Sequence, residues 1–79
     1  MEIKTAELDG KRIAYTDETK FHVQVGKGRG AYKPRYTFTG NLAQAVFYYR
    51  CINIGRGYKK RLVLERADGT RTIICKSAS

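Results

Sequence analysis

The residues best suited to chemistry lie in the segment 26–36, which is rich in glycines and cations and contains no acid. Lysine and arginine bind phosphate groups, and tyrosine rings stack on bases, so this mixture is typical of a nucleic-acid-binding surface. The partner-binding residues predicted in this segment are Lys27, Arg29, Tyr32, Lys33, Arg35 and Tyr36.

A second basic segment follows at 56–61, and the triplet at 55–57 repeats the Gly-Arg-Gly of 28–30. Contacts of this kind depend little on base identity, so we expect affinity for nucleic acid with little sequence specificity. Arginine and tyrosine are also the usual anchors of protein–protein interfaces, so composition does not separate a nucleic-acid partner from a protein partner. The predicted binding residues of this segment are Arg56, Tyr58, Lys59, Lys60 and Arg61.

Charge is distributed unevenly along the 79 residues, whose net charge is +9. Residues 19–64 contain ten lysines and arginines and no acid, and all seven acids lie outside this block. Surface charges normally alternate in sign, so the block predicts a positive face and a polyanionic partner, either nucleic acid or an acidic protein surface. The alternative is a basic, soluble surface that has no partner.

No combination of residues in the sequence supports catalysis. His22 is the only histidine. The alternating pattern of 21–25 puts it on the outward face of a strand, where we expect a solvated residue rather than a catalytic base. The glycines at 26–30 do not open into a helix, as a dinucleotide-binding loop must, so we reject a nucleotide cofactor. We therefore expect a binding protein without enzyme activity, metal, cofactor or small-molecule substrate.

Two cysteines, Cys51 and Cys75, form at most one disulfide, and their spacing matches no zinc pattern. Each lies in an apolar run, so we expect reduced, partly buried thiols. The N-terminal residues do not have the pattern of a signal peptide, and no apolar run reaches the length of a membrane helix. The sequence therefore predicts a cytoplasmic protein that does not enter a membrane.

The N-terminal half of the chain predicts four strands. Asp9-Gly10 separates two strand-like runs at 2–8 and 11–16, which is the signal of a hairpin with a type I′ turn. Residues 21–25 and 36–39 alternate between apolar and polar side chains. We therefore interpret 26–34 as a long, mobile hairpin loop that presents Lys27 and Arg29.

One helix is predicted after the fourth strand. Asn41 is a good N-cap with Gln44 at the capping-box position, and the helix should continue to about Ile54, with Gly55 in the left-handed position after it. A helical wheel gives a core-facing stripe and a second apolar set well away from it. The stripe is Leu42, Ala45, Val46, Tyr49 and Ile52, and the second set is Ala43, Phe47, Cys51 and Ile54.

A helix that is apolar nearly all round needs cover on more than one side. Either the strands or the N-terminal hairpin cover the second set, or Phe47, Cys51 and Ile54 form an exposed patch for a homodimer or another partner. Two further strands at 62–66 and 71–75 flank the hairpin signal at 67–70. The sequence thus predicts a single α+β domain over 1–79, with a curved antiparallel sheet, one helix packed across it and the order ββββαββ.

The layout of 21–75 resembles that of small phage-encoded anti-CRISPR proteins that act on type I systems. The shared features are strands, a short capped helix at 41–45, a glycine-containing basic turn and a final hairpin at 68–70, over roughly two-thirds of the chain. This resemblance implies a stoichiometric inhibitor in the bacterial cytoplasm that blocks target-DNA binding or nuclease recruitment. Many such proteins are acidic DNA mimics, a mechanism that a net charge of +9 excludes.

Three functions therefore remain open from the sequence. The first is an inhibitor that docks on a Cas protein complex, with or without additional contact to nucleic acid. The second is a free-standing, weakly sequence-specific nucleic-acid-binding protein of phage or plasmid origin. The third is a structural subunit that forms a homodimer through its second apolar helix set.

Overall fold

The computed structural model describes residues 2–78 and confirms the α+β class and the order ββββαββ. All strand pairs are antiparallel, and the sheet is curved rather than closed. The elements are β1 (Lys4–Leu8), β2 (Lys11–Tyr15), β3 (Lys20–Lys27), β4 (Lys33–Thr39), α1 (Leu42–Cys51), β5 (Tyr58–Glu65) and β6 (Arg71–Ala78).

The last four strands form one sheet in the order β4-β3-β5-β6, so β3 and β5 lie at its centre. Alternation of side chains gives this sheet two faces. We call the face that packs on α1 the core face, and the opposite one the open face. Phe21 and Val23 of β3 lie beside Leu64 and Leu62 of β5 on the core face, and all four side chains are almost fully buried. Full burial of each such side chain contributes about 1.5–3 kcal/mol to folding.

The predicted core-facing stripe of the helix is confirmed. Leu42, Ala45 and Tyr49 are buried in the same core as the central strands, and Val46 and Ile52 pack against its margin. The N-cap prediction is also confirmed, because the Asn41 side chain accepts a hydrogen bond from the Gln44 backbone N–H at 3.0 Å. The Gln44 side chain accepts from the Asn41 side-chain amide at 3.3 Å, which differs from the bond of a capping box.

The N-terminal hairpin forms a separate two-stranded sheet. Its turn has the predicted conformation, since Asp9 and Gly10 have φ values of 51° and 80°. Leu8 and Ile13 enter the common core, and Tyr15 packs edge-on against Phe21 with ring centroids 5.6 Å apart. The hairpin therefore completes the core beside α1.

The end of the helix differs from the prediction. The helix ends at Cys51 instead of about Ile54, and Gly57 rather than Gly55 has a left-handed φ, of +85°. The Lys60 ammonium explains the early end, because it donates to the carbonyls of Tyr49 (2.7 Å) and Ile52 (3.1 Å). A side chain from β5 thus satisfies carbonyls that a glycine cap would otherwise serve.

The long glycine loop is also shorter than predicted. β3 continues to Lys27 and β4 begins at Lys33, so the loop spans only 28–32 instead of 26–34. The extra strand residues pair on both sides, with Val25 opposite Lys33 and Lys27 opposite Tyr58. Pairing across three strands is a tertiary effect that overrides the local preference of glycine for turns.

The second apolar set on the helix is not covered by the strands or the hairpin. Phe47 is 62% exposed, and Ala43 and Cys51 are exposed as well, whereas Ile54 in the following loop is half-buried. The hairpin instead lies along the Leu42 and Val46 side of the helix, where it borders a depression of about 340 Å³. Ala43, Phe47 and Cys51 of the second set therefore belong to the surface of the domain, and Ile54 does so only in part.

Candidate polyanion-binding groove

A cationic depression of about 530 Å³ lies on the core face of the sheet, beyond the end of the helix. Its charged and aromatic lining comes from three adjacent strands: Lys27 ends β3, Lys33 and Arg35 belong to β4, and Tyr58 begins β5. Lys33 and Tyr58 face the same side because they pair with Val25 and Lys27, two residues apart on β3. The early end of α1 leaves this part of the sheet uncovered.

Arg35 extends this depression into a longer groove. The register between β3 and β4 shifts after Val23, which pairs with Tyr36, while Gln24 pairs with Pro34. Arg35 is therefore the extra residue of a bulge, a feature that redirects a side chain. Arg35 also lines a second depression of about 220 Å³ and a third of about 340 Å³.

The three adjoining depressions are together called the groove. The second shares Val25 and Tyr58 with the first, and the third shares Ile52 and Asn53 with the second. No acid lines any of the three among the described residues. The groove is thus a track with cations from β3 and β4 and apolar or amide groups on its floor.

In the folded chain, Tyr58 and Tyr32 each lie beside cations of the other basic segment. Tyr58, from the second segment, lies in the groove, with its ring centroid 5.6 Å from the Lys27 ammonium of the first. Tyr32, from the first segment, lies beside two cations of the second. The Lys59 ammonium is 4.6 Å and the Arg61 guanidinium carbon 3.9 Å from the centroid of the Tyr32 ring. Antiparallel pairing of β3 with both neighbours brings these distant residues together.

The Tyr32 cluster is on the opposite face of the sheet and is bound internally. The Arg61 Nε donates to the Gln24 side chain at 2.6 Å, and its guanidinium stacks on Tyr32. Gln24 pairs with Arg61 on the open face, away from the helix. These three side chains therefore stabilise the sheet, and fewer of their groups are free to bind a partner.

Lys60 is a structural residue in this fold. Besides holding two helix carbonyls, its ammonium lies 4.7 Å from the ring centroid of Tyr49. Tyr49 is buried, and this burial raises the pKa of its hydroxyl, which pairs with Ser77 at 2.7 Å. Of the three consecutive cations Lys59, Lys60 and Arg61, none lines the groove.

The two Gly-Arg-Gly triplets meet at one end of the groove. The backbone N–H of Gly28 donates to the carbonyl of Gly57 at 2.7 Å, and that of Gly30 donates to Lys27 at 2.9 Å. Arg29 and Arg56 are both exposed on these joined turns. The predicted mobile loop is thus a turn held by backbone hydrogen bonds.

Acidic side chains mark the other end of the sheet. Glu65 pairs with Lys20 at the start of β3, whereas the groove lies at the end of that strand. The His22 Nε2–H donates to the Glu65 carboxylate at 3.0 Å, and this hydrogen bond is the main cause that lowers the pKa of Glu65, with Arg71 also contributing. The antiparallel register of β3 and β5 therefore places Glu65 and the groove at opposite ends of β3.

His22 lies on the open face as predicted, but it is not solvated, since only 14% of its side chain is exposed. Its Nδ1 is 3.0 Å from the Thr37 hydroxyl and its Nε2 is 3.0 Å from Glu65, which also binds Arg71 at 2.9 Å. These bonds cross all four strands of the sheet. The network accounts for His22 as a residue that stabilises the sheet.

Both cysteines are free thiols. Cys75 is half-buried, and burial together with the nearby Asp9 carboxylate raises its pKa. Cys51 is exposed, so the prediction of a partly buried thiol is wrong at this position. Cys51 lies on the uncovered side of the helix and borders the third depression.

An aromatic patch adjoins the groove where the helix faces β4. Tyr48 contacts Tyr36 and Phe38, each with ring centroids 5.1 Å apart, and Phe47 meets it edge-on at 5.8 Å. Tyr36 is 37% exposed and Phe47 is 62% exposed. The sequence analysis found Tyr36 and Phe47 but missed Tyr48, which holds them together. The signal for it is the run of three aromatic residues at 47–49.

The groove also contains residues that the sequence analysis did not predict as part of a binding site. Ile52 and Asn53 line its second and third depressions, and Val25 lines the first two. Ile52 and Asn53 enter the groove because the helix ends before them and the chain continues in an extended conformation. Ile52 and Asn53 line the groove only because the helix ends at Cys51, and the sequence analysis predicted that it ends at about Ile54.

The fold and the groove define a small α+β domain with one acid-free cationic track. Comparison of the chain with protein-family models, with curated proteins and with solved structures gave no match. Within residues 2–78, no helix is long and apolar enough to cross a membrane. Over the same range, no three His, Cys, Asp or Glu side chains come together as a metal site.

Proposed function

We propose that this chain is a non-enzymatic nucleic-acid-binding protein that uses the groove and the two joined Gly-Arg-Gly turns to bind phosphates. The observation that carries this proposal is the grouping of Lys27, Lys33 and Arg35 around Tyr58 without an acid. Phosphate contacts supply most of the affinity of such proteins, and an uncompensated cationic cleft raises the local concentration of a polyanion.

The exposed arginines of the turns add to the same surface. Arg29 and Arg56 lie on joined turns at the end of the groove, so a backbone leaving the groove would meet them next. With Lys27, Lys33 and Arg35, this gives about five phosphate contacts, for which a log–log salt slope of about −3.5 is expected on a single strand.

Fluorescence anisotropy of a labelled oligonucleotide, titrated at several salt concentrations, tests the proposal. Lys27→Glu/Arg29→Glu should weaken binding and reduce the salt slope, with thermal stability nearly unchanged because both side chains are exposed. The matched control is Lys11→Glu/Arg66→Glu, which reverses two exposed charges outside the groove. Undetectable or salt-insensitive binding by the wild type, or equal losses in both variants, would contradict the proposal.

The second candidate is a stoichiometric inhibitor of a type I CRISPR–Cas surveillance complex, as the resemblance of 21–75 implies. The observation that favours it is the aromatic patch of Tyr36, Phe47 and Tyr48, which adjoins the cationic groove at Arg35. Aromatic residues and arginine are the usual anchors of protein interfaces. Either function would be exercised in the cytoplasm, which for a phage-encoded protein is that of the bacterial host.

Retention of purified type I surveillance complexes on the immobilised chain tests this candidate. Phe47→Glu should abolish retention, and no retention by the wild type at moderate salt would reject the candidate. Sedimentation of the wild type and of Phe47→Glu separates the homodimer alternative. A wild-type dimer that the substitution dissociates would assign the patch to self-association.

A further inference from the structure

Two tyrosines and one arginine line the groove along its length. Tyr58 lies where the first and second depressions meet, Tyr36 lines the third, and Arg35 lines all three. Both tyrosines are 37% exposed, so part of each ring is open to a ligand. The groove therefore offers two aromatic surfaces on either side of one guanidinium group.

Both aromatic surfaces are held in place before any ligand binds. Tyr36 rests against Tyr48 at a ring-centroid distance of 5.1 Å, and Tyr48 also contacts Phe38. Tyr58 begins β5, its backbone N–H donates to the Gly55 carbonyl at 3.0 Å, and its ring centroid lies 5.6 Å from the Lys27 ammonium. Rings that are already fixed lose little conformational freedom on binding, which favours stacking.

We propose that the groove binds a single-stranded nucleic acid, with one base on Tyr58, the next on Tyr36 and the intervening phosphate on Arg35. This inference rests on the proposed function and specifies its ligand. The bases of a duplex are stacked and paired, so they cannot enter depressions of about 530 and 340 Å³, whereas bases of a single strand can. Lys27 and Lys33 then bind the phosphate that precedes or follows this step.

The floor of the groove fits this ligand. Val25 and Ile52 provide apolar contact to base edges, and Asn53 provides an amide that can donate to or accept from any base. Stacking and phosphate contacts are both tolerant of sequence, so binding should vary little with base composition. An acidic protein segment would satisfy the cations, but it would leave the two tyrosine surfaces without stacking partners.

The test compares an unstructured oligonucleotide, the same strand in a duplex, and the same strand with two adjacent abasic sites. We expect the single strand to bind at least about tenfold more tightly than the duplex, and each lost base to cost about five- to a hundredfold. Tyr58→Leu and Tyr36→Leu should each weaken single-strand binding by a similar factor. Tyr32→Leu is the matched control, because Tyr32 lies on the opposite face of the sheet.

The outcomes separate this inference from the proposed function. Equal affinity for single strand and duplex, or for intact and abasic strands, would overturn the single-strand inference and leave phosphate binding standing. An equal loss in Tyr32→Leu and Tyr58→Leu, with both variants folded by circular dichroism, would also overturn it. No binding to any of the three oligonucleotides at low salt would overturn the proposed function itself.

Discussion

The Gly28 backbone N–H donates to the Gly57 carbonyl across 2.7 Å, and this bond joins two turns that are nearly thirty residues apart in the chain. It brings Arg29 and Arg56 to the same end of the groove. Because the bond ties the β3–β4 turn to the segment before β5, we expect it to restrain the cationic end of the domain.

Amide hydrogen exchange checks this relationship. We expect the Gly28 amide to exchange more slowly than that of the neighbouring Arg29 at the tip of the turn, because a bonded N–H exchanges only when its bond opens. Two-dimensional NMR in D₂O at low pH resolves the two amides. Equal, rapid exchange of Gly28 and Arg29 would show that the turn is a free loop, as the sequence alone suggested.

The junction between β4 and α1 depends on Gly40. Its φ is +69°, and a Cβ at this position would lie 2.6 Å from the Asp17 carbonyl oxygen. We expect Gly40→Ala to cost at least about 2 kcal/mol, because backbone strain adds to a clash with a backbone atom. Gly69→Ala is the control, since Gly69 has a φ of +90° and no atom near its added Cβ. It should cost about 1 kcal/mol. Urea denaturation measures both variants, and equal losses would contradict the role of the Asp17 contact.

Lys60 should behave as a structural residue and not as a binding residue. Lys60→Met removes both hydrogen bonds to the helix carbonyls, so we expect a loss of about 1–3 kcal/mol in the free energy of unfolding. Lys59→Met removes only the contact with Tyr32 and should cost less than about 1 kcal/mol. Nucleic-acid affinity of Lys60→Met, measured below its unfolding temperature, should fall less than that of Lys27→Glu/Arg29→Glu, because Lys60 does not itself line the groove. If Lys60→Met lowered the free energy of binding more than the free energy of unfolding, Lys60 would be a binding residue.

The acidic end of the sheet should give the domain an acid-sensitive stability. The pKa of Glu65 is lowered below its ordinary value of 4.5 by the His22 hydrogen bond, and the charges of Arg71 and Lys20 act in the same direction. The carboxylate therefore stabilises the fold fully above about pH 5, and this contribution is lost as the pH falls through the lowered pKa.

Thermal unfolding of the wild type and of Glu65→Gln from pH 5 to pH 2 checks this expectation. The wild type should be more stable at pH 5, and the difference between the two melting temperatures should shrink as the pH falls. A difference that stays constant across this range would contradict the role of the ionised carboxylate.

The sequence by itself determined the elements of this protein and their order. The Asp9-Gly10 turn, the alternation around Phe21 and the Asn41 cap are local signals, and each is confirmed because it acts over a few residues. The sequence also located the acid-free block at 19–64, since the positions of charged residues can be read directly from the sequence. These features require no knowledge of which strands pair.

Only the tertiary structure decided how the basic residues are grouped. Pairing of β3 with β4 and β5 places Tyr58 beside Lys27 and Tyr32 beside Arg61. A β-bulge placed Arg35 along the whole groove, and the helix ended early because Lys60, nine residues beyond Cys51, took its last carbonyls. Each of these outcomes depends on contacts between residues that are distant in the chain. The physical reason is that strand register, not sequence neighbourhood, sets which side chains share a face.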